Sequence, residues 1–462
     1  MESFQTISPI DGSVLYTKNY ASAQEIEAVL ARAKQSQSAW KSKSVAQRVD
    51  ILRQFVAALV AKKSVLAEEL TQQMGRPIRY TAGEIGGFAQ RADTMLDMAA
   101  QELADIFPPA QEGFTRFIRR EALGTVLVLS PWNYPYLTAV NAIIPALAAG
   151  NTVVLKHAEQ TALVAERLME AAAETGLLDG VFQIMHCTHE QVADIIQDER
   201  IDFVCFTGSV EGGHAVQKAA AQRFIGLGLE LGGKDPAYVR ADADFAHAVE
   251  NIVDGAFFNS GQSCCGIERV YVHESLYASF VEEFAKMVHG YVLGDPMKQE
   301  TTLGPMVRTK NADHVRVHIQ EAIDAGAKAL VDASTFAANQ DGSPYLAPQV
   351  LIDVHHGMRV MKEESFGPVV GIMSVASDEE AISLMNDSDY GLTASIWTKD
   401  EEAAMGIADQ LETGTVFMNR CDYLDPSLAW VGVKNSGRGC TLSKVGYEHL
   451  TRPKSFHFRK LS

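Results

Sequence analysis

Thr125-Val-Leu-Val-Leu-Ser-Pro-Trp-Asn-Tyr-Pro135 is a short apolar run that breaks into polar, aromatic and proline residues. A run of this length bounded by Gly124 and Pro131 reads as a strand buried on both faces. The pattern recurs at Thr152-Val-Val-Leu155, Val181-Phe-Gln-Ile184, Phe203-Val-Cys-Phe206 and Ile225-Gly-Leu-Gly-Leu229, with helix-length segments between. Such alternation predicts a parallel sheet covered on both faces, with its ligand site beyond the carboxyl ends of the strands. Candidates stand at those ends: Ser130-Pro-Trp-Asn-Tyr-Pro135, Lys156-His-Ala-Glu159 and Thr207-Gly-Ser-Val-Glu-Gly-Gly213. The last opens a helix whose free N–H groups suit phosphate. None is a G-x-G-x-x-G fingerprint, so Gly208 to Gly213 by itself reads first as a plain helix-opening turn.

Upstream, Ser22-Ala-Gln-Glu25 and Ser44-Val-Ala-Gln47 are capping boxes, each opening an amphipathic helix. A further helix is expected from Arg79 to Asp105, stopped by Phe107-Pro-Pro109. Phe114 to Glu121 and Thr451 to Arg459 alternate like edge strands. Downstream of Gly233 a second parallel region is expected, with strands at Val270–His273, Val369–Met373, Ala394–Trp397 and Gly414–Met418. Within it, Ala256-Phe-Phe-Asn-Ser-Gly-Gln-Ser-Cys-Cys265 places a thiol just past an apolar helix pattern, behind a Gly-Gln turn. Cysteine is a common core residue, so Cys264 is singled out only by the company it keeps.

Composition narrows the partners. A net charge of -18 with no basic run argues against nucleic acid and anionic membranes, which need clustered Lys and Arg. The six cysteines show no C-x-x-C spacing, and the N-terminus has no basic stretch followed by an apolar one. A reduced, cytoplasmic protein with no metal site is expected. No apolar run is long enough to span a bilayer. His314 and His318 share a helix face without a carboxylate cluster and read as solvated surface.

Together, Pro131-Trp-Asn-Tyr-Pro135, Phe206-Thr-Gly-Ser-Val-Glu-Gly-Gly213, Glu230-Leu-Gly-Gly-Lys234, Gly261-Gln-Ser-Cys264 and Glu363-Glu-Ser-Phe-Gly-Pro368 resemble the aldehyde dehydrogenase superfamily over nearly the whole chain. The resemblance implies two doubly wound α/β domains and a small β oligomerisation arm. The expected division is 1–106 with 123–232 for NAD, 233–435 for catalysis, and 107–122 with 436–462 as arm and tail. It implies that Cys264 is the nucleophile toward an aldehyde, that Asn133 and the Cys264 N–H hold the oxyanion, and that Glu230 activates water against the thioester. Trp132, Lys156, Glu159, Gly208, Ser209, Glu364 and Phe366 would hold the cofactor. Glu159 favours NAD over NADP, because a 2′-phosphate beside it would meet like charge. A homodimer or homotetramer is implied.

Two departures from the family pattern stand out. Where many members carry a Lys and a Glu that relay protons from the base, this chain has Ala142 and Thr441. His186-Cys-Thr-His189 replaces a glycine-containing turn near the adenine. Family geometry puts Tyr134, Thr138, Asn141, Phe258, Cys265, Tyr423 and Trp430 around the substrate. Asp422 and Asp425 with the aromatics suit a cationic or neutral aldehyde, whereas Arg420 suits an acidic semialdehyde. An acylating enzyme that passes the thioester to CoA, and a cofactor-binding structural protein, are the competing readings. The base at Glu230 counts against the first, and the intact Cys264, Glu230 and Asn133 set against the second.

Overall fold

The computed structural model describes residues 2–461. Thr125–Ser130 lies inside a six-stranded sheet ordered Gly437–Arg438, Gly226–Glu230, Phe203–Thr207, Thr125–Ser130, Thr152–His157 and Phe182–Ile184. The first of these pairs antiparallel and the others are parallel. Every residue of Thr125–Ser130 is buried, as an apolar run without polar alternation requires when helices cover both faces. The pleat sends Val126 and Val128 into one core and Leu127 and Leu129 into the other.

The first of these cores is closed by helices Ala23–Ser42, Val45–Val60 and Ile78–Glu102, through Trp40, Leu52, Phe55, Ile85 and Phe88. Both expected capping boxes form, with Ser22 and Ser44 each accepting from the N–H three residues on. Full burial of each large apolar side chain contributes about 1.5–3 kcal/mol. The long helix ends at Glu102 rather than Asp105.

A second sheet runs Lys328–Ala329, Gln349–Ile352, Val369–Val375, Ile267–His273, Asp235–Val239, Thr393–Trp397 and Thr415–Met418. All of its pairings are parallel except the one at the Lys328 edge. Leu231-Gly-Gly-Lys234 is the crossing between the sheets, and it is tight. A Cβ at Gly232 would stand 2.3 Å from the Glu364 carboxylate, and one at Gly233 would stand 2.3 Å from the Cys264 carbonyl. Sequence motifs far apart in the chain therefore meet at this link.

The two segments expected as edge strands pair with each other. Phe114–Ala122 and Thr451–Arg459 form an antiparallel ribbon in register from Phe114↔Arg459 to Ala122↔Thr451, with Phe117 and Phe456 stacked at 4.4 Å. The tail expected over 436–462 divides. Gly437–Arg438 completes the first sheet, and helix Ser443–His449 packs on its core, where Tyr447 Oη donates to the Met95 carbonyl at 2.7 Å. Only the last stretch belongs to the ribbon.

Candidate active site

Helix Phe245–Phe257 runs into a turn in which Asn259, Ser260 and Gly261 have φ of 54°, 55° and 69°. Left-handed backbone is costly for Asn and Ser and persists only where neighbours over-determine it. Here they do. Asn259 Nδ2 donates to the carbonyls of Asn133 (3.2 Å) and Gln262 (3.3 Å), its Oδ1 accepts from Arg76 Nε (3.1 Å), and Ser260 Oγ donates to Gly304 (2.9 Å). Gly261 admits no side chain, because a Cβ there would lie 2.2 Å from the Gly367 carbonyl. The turn leaves Cys264 half-buried and Cys265 buried. Cys265 Sγ donates to Asp422 Oδ1 at 3.0 Å, and hydrogen bonding with Cys264, together with burial, holds its thiol well above the usual range. Cys265 therefore stays protonated.

Asn133 follows the strand quoted first. Its Nδ2 donates to Gln262 O at 3.2 Å, and its carbonyl is gripped by Arg76. Arg76 is buried, as is its ion-pair partner Glu84. Glu84 in turn accepts from the N–H groups of Tyr136 (2.8 Å) and Leu137 (3.3 Å), in the first turn of helix Pro135–Ala148, where a carboxylate is favoured. This scaffold carried no sequence signal, since one Arg and one Glu on or near a helix are ordinary surface residues until folded.

Glu230 closes strand Gly226–Glu230. Its carboxylate accepts from Thr207 Oγ1 at 3.0 Å and from Thr441 Oγ1. Burial raises its pKa above the ordinary carboxylate value; the two threonine hydrogen bonds and the Arg91 charge hold it partly down. Ala142 is buried in the core, so no cation stands there. Thr441, bridged to Trp430, instead gives the carboxylate a hydroxyl.

Two cavities meet at these residues. One, of about 370 Å³, is lined by Trp132, Asn133, Gly208, Ser209, Glu364 and Phe366 among others. Ser209 caps helix Val210–Ala220 by accepting from Gly212 N at 3.1 Å. Glu364 accepts from Gly233 N at 2.9 Å, and burial and then Glu268 push its carboxyl up to about 8. Trp132 meets Phe366 edge-on at 5.7 Å. Phe366 is itself left-handed, at φ 51°, and Glu268 fixes it by accepting from Ser365 N (2.8 Å) and Phe366 N (2.9 Å) while paired with Lys234. Lys156 and Glu159 lie outside this cavity, at the end of strand Thr152–His157, where Tyr20 Oη donates to Glu159 Oε1 at 2.8 Å.

The other cavity, of about 350 Å³, is lined by Tyr134, Thr138, Asn141, Phe258, Cys265, Tyr423 and Trp430, with Asp422, Asp254 and Arg91. Arg420 and Asp425 are not in the lining; Arg420 stacks on the Tyr423 ring at 3.3 Å. Cys264, Glu230 and Thr207 line both cavities. His318 corrects the sequence expectation: it is buried, with Nδ1 3.2 Å from Ser365 Oγ, because its helix packs beneath the Glu364 loop. His314 is exposed and, with Lys310 and Asn311, borders the first cavity. Among the described residues no cluster of His, Cys, Asp and Glu is fit to hold a metal.

Paired doubly wound sheets place a cysteine and a glutamate between a helix-capped crevice and a second pocket, the layout of an α/β enzyme with two adjoining sites. The family model for the aldehyde dehydrogenase family matches residues 1–456, and the chain belongs to that family. It is 33% identical over 96% of its length to a succinate semialdehyde dehydrogenase [NAD(P)+] of Escherichia coli (strain K12), covering 95% of that protein. It is 34% identical over 99% of its length to an NADP-dependent glyceraldehyde-3-phosphate dehydrogenase of Streptococcus equinus, covering 96% of it. The crystal structure of an aldehyde dehydrogenase from Brucella melitensis biovar abortus 2308 superposes with a TM-score of 0.95 at 29% identity, covering 100% of this chain and 95% of that one.

Proposed function

We propose that this aldehyde dehydrogenase uses NAD and works through covalent catalysis at Cys264, releasing a free acid. The observation that carries the reading is that Cys264 and Glu230 both border the two cavities, so one thiol and one carboxylate reach cofactor and substrate together. The first cavity suits a dinucleotide's phosphates and nicotinamide end. A capped helix N-terminus favours an anion, and Glu364 can accept ribose hydroxyls. Lys156 and Glu159 would take the adenosine ribose. Glu159 is the reason for NAD, since its carboxylate would repel a 2′-phosphate.

The Cys264 thiolate adds to the aldehyde carbon, and the oxyanion of the thiohemiacetal is met by Asn133 Nδ2 and the Cys264 N–H. Nicotinamide held beside Glu364 and Phe366 would supply the hydride acceptor, and loss of hydride from the carbon on Cys264 would leave a thioester there. Glu230 then takes a proton from water, hydroxide adds to the thioester carbon, and sulfur departs as thiolate. The balance is aldehyde, water and oxidised cofactor giving acid, reduced cofactor and a proton. Cys264→Ala should bind NAD yet give no NADH burst with an aldehyde panel; retained oxidation would show the nucleophile misassigned. Turnover requiring CoA would favour the acylating alternative, and equal efficiency with NADP would remove the role given to Glu159. The six free thiols fit a reducing, cytoplasmic setting. The Phe114–Ala122 and Thr451–Arg459 ribbon, with an exposed Phe458, is the proposed arm of a homodimer or homotetramer.

A further inference from the structure

We infer that the second cavity selects aldehydes carrying a terminal oxyanion group, held by the Arg91 guanidinium and the Asn141 amide. This rests on the reading of that cavity as the substrate site. Arg91 sits on helix Ile78–Glu102, one turn after Gly87, and both line the cavity. Gly87 brings the helix close: a Cβ there would stand 2.8 Å from Leu137 of the facing helix. Arg91 Nη1 donates to the Leu137 carbonyl at 2.8 Å and to Asn141 Oδ1 at 3.3 Å. Among the described residues its Nε and Nη2 donate to no protein acceptor and neither is enclosed, and Arg91 lines the cavity. Arginine stays charged, and a guanidinium fork matches a carboxylate or phosphate.

The Nη1 contact also orients Asn141. Because Oδ1 faces Arg91, the two Nδ2 donors face away from it, and they too have no protein acceptor among the described residues. The cavity thus offers a cation and amide donors that none of its lining carboxylates, Glu230, Asp254 and Asp422, accepts from among the described residues. Its acids are otherwise engaged. Asp422 Oδ1 accepts from Ser263 Oγ (2.7 Å) and Cys265 Sγ, while burial favours the neutral form of both Asp422 and Asp254. Burial counts against the Arg91 cation as well, and Glu230 and Glu84 offset part of that cost. An incoming oxyanion would offset more of it.

The test compares kcat/KM for 4-oxobutanoate, glyceraldehyde 3-phosphate, butanal and 4-aminobutanal in the wild-type enzyme with NAD and in Arg91→Gln, Arg91→Lys and Asn141→Ala. The wild type should prefer an oxyanion-bearing aldehyde to butanal by about a hundredfold, the scale of a desolvated charge contact. Arg91→Gln should collapse that ratio at least about tenfold, chiefly through KM, with partial recovery in Arg91→Lys. The two anionic probes separate carboxylate from phosphate. Preference for butanal or 4-aminobutanal, or a ratio unmoved in all three variants, overturns the inference. Failure of every aldehyde in the wild type would instead count against the proposed function, so the two failures are distinguishable.

Discussion

Thr441→Val removes one donor from the Glu230 carboxylate without changing side-chain shape. Two hydroxyls, from Thr207 and Thr441, hold that carboxylate against a burial that favours its proton. A hydrogen bond to a charged group contributes about 1.5–3 kcal/mol, and about 1.4 kcal/mol is a factor of ten in a protonation equilibrium. The lost bond stabilised the ionised form, so its removal raises the Glu230 pKa and moves the acid limb of the deacylation rate to higher pH. On the acid side the rate should fall roughly tenfold or more. On the plateau, where Glu230 is ionised in both proteins, it should be nearly unchanged. Thioester hydrolysis after a stopped-flow burst, followed from pH 5 to 9, measures this directly. Thr207→Val should move the limb the same way. A uniform fall at all pH values, or an unmoved limb with thioester hydrolysis still rate-limiting, would refute Glu230 as the base tuned by Thr441.

Asn133→Ala should cost about 10²–10³ in kcat for loss of an oxyanion donor, while the midpoint of thermal unfolding moves little, since only one 3.2 Å hydrogen bond goes with it. Arg76→Met leaves Glu84 buried without its counter-charge and should destabilise the protein by about 3–5 kcal/mol in denaturant titration, with Glu84→Gln in the same chain recovering part of the loss. Glu364 is held up to about 8 from 4.5, so between those pH values the folded chain keeps a proton that the unfolded chain has lost. Its contribution to stability therefore declines as pH rises through that window, and Glu364→Gln should flatten the decline in urea midpoints of the cofactor-free protein. Gly261→Ala forces a Cβ into the Gly367 carbonyl at φ 69° and should abolish the burst even where the protein folds, read as the NADH amplitude per thiol.

Where backbone pattern governed, the sequence was informative. Thr125–Ser130 and its parallel neighbours declare themselves as apolar runs because both faces are covered, and Ser22 and Ser44 declare helix starts through local hydrogen bonds. Asp235–Val239, central in the second sheet, was not visible, because it opens with Asp-Pro and its burial depends on Thr393 donating to Asp235. The same limit explains the site. Cys264, Glu230 and Asn133 stand out in the sequence through motifs, and the fold brings all three to the cavity of Trp132 and Glu364. Arg76, Glu84, Glu268 and Arg91 act by pairing with residues remote in the chain, and His318 was misjudged because its helix face is covered by a loop 47 positions away. Long-range partners leave no periodicity to read.

The return of the chain's end to its middle has a consequence for biosynthesis. Gly437–Arg438 edges the sheet beside Glu230, Thr441 touches that carboxylate, and Thr451–Arg459 zips onto a strand some 330 positions earlier. Synthesis must therefore run past Thr441 before the Glu230 carboxylate has both of its hydroxyl donors. On the proposed mechanism, nascent chains would carry the Cys264 thiol before the Thr441 hydroxyl that holds Glu230, open to oxidation yet without turnover.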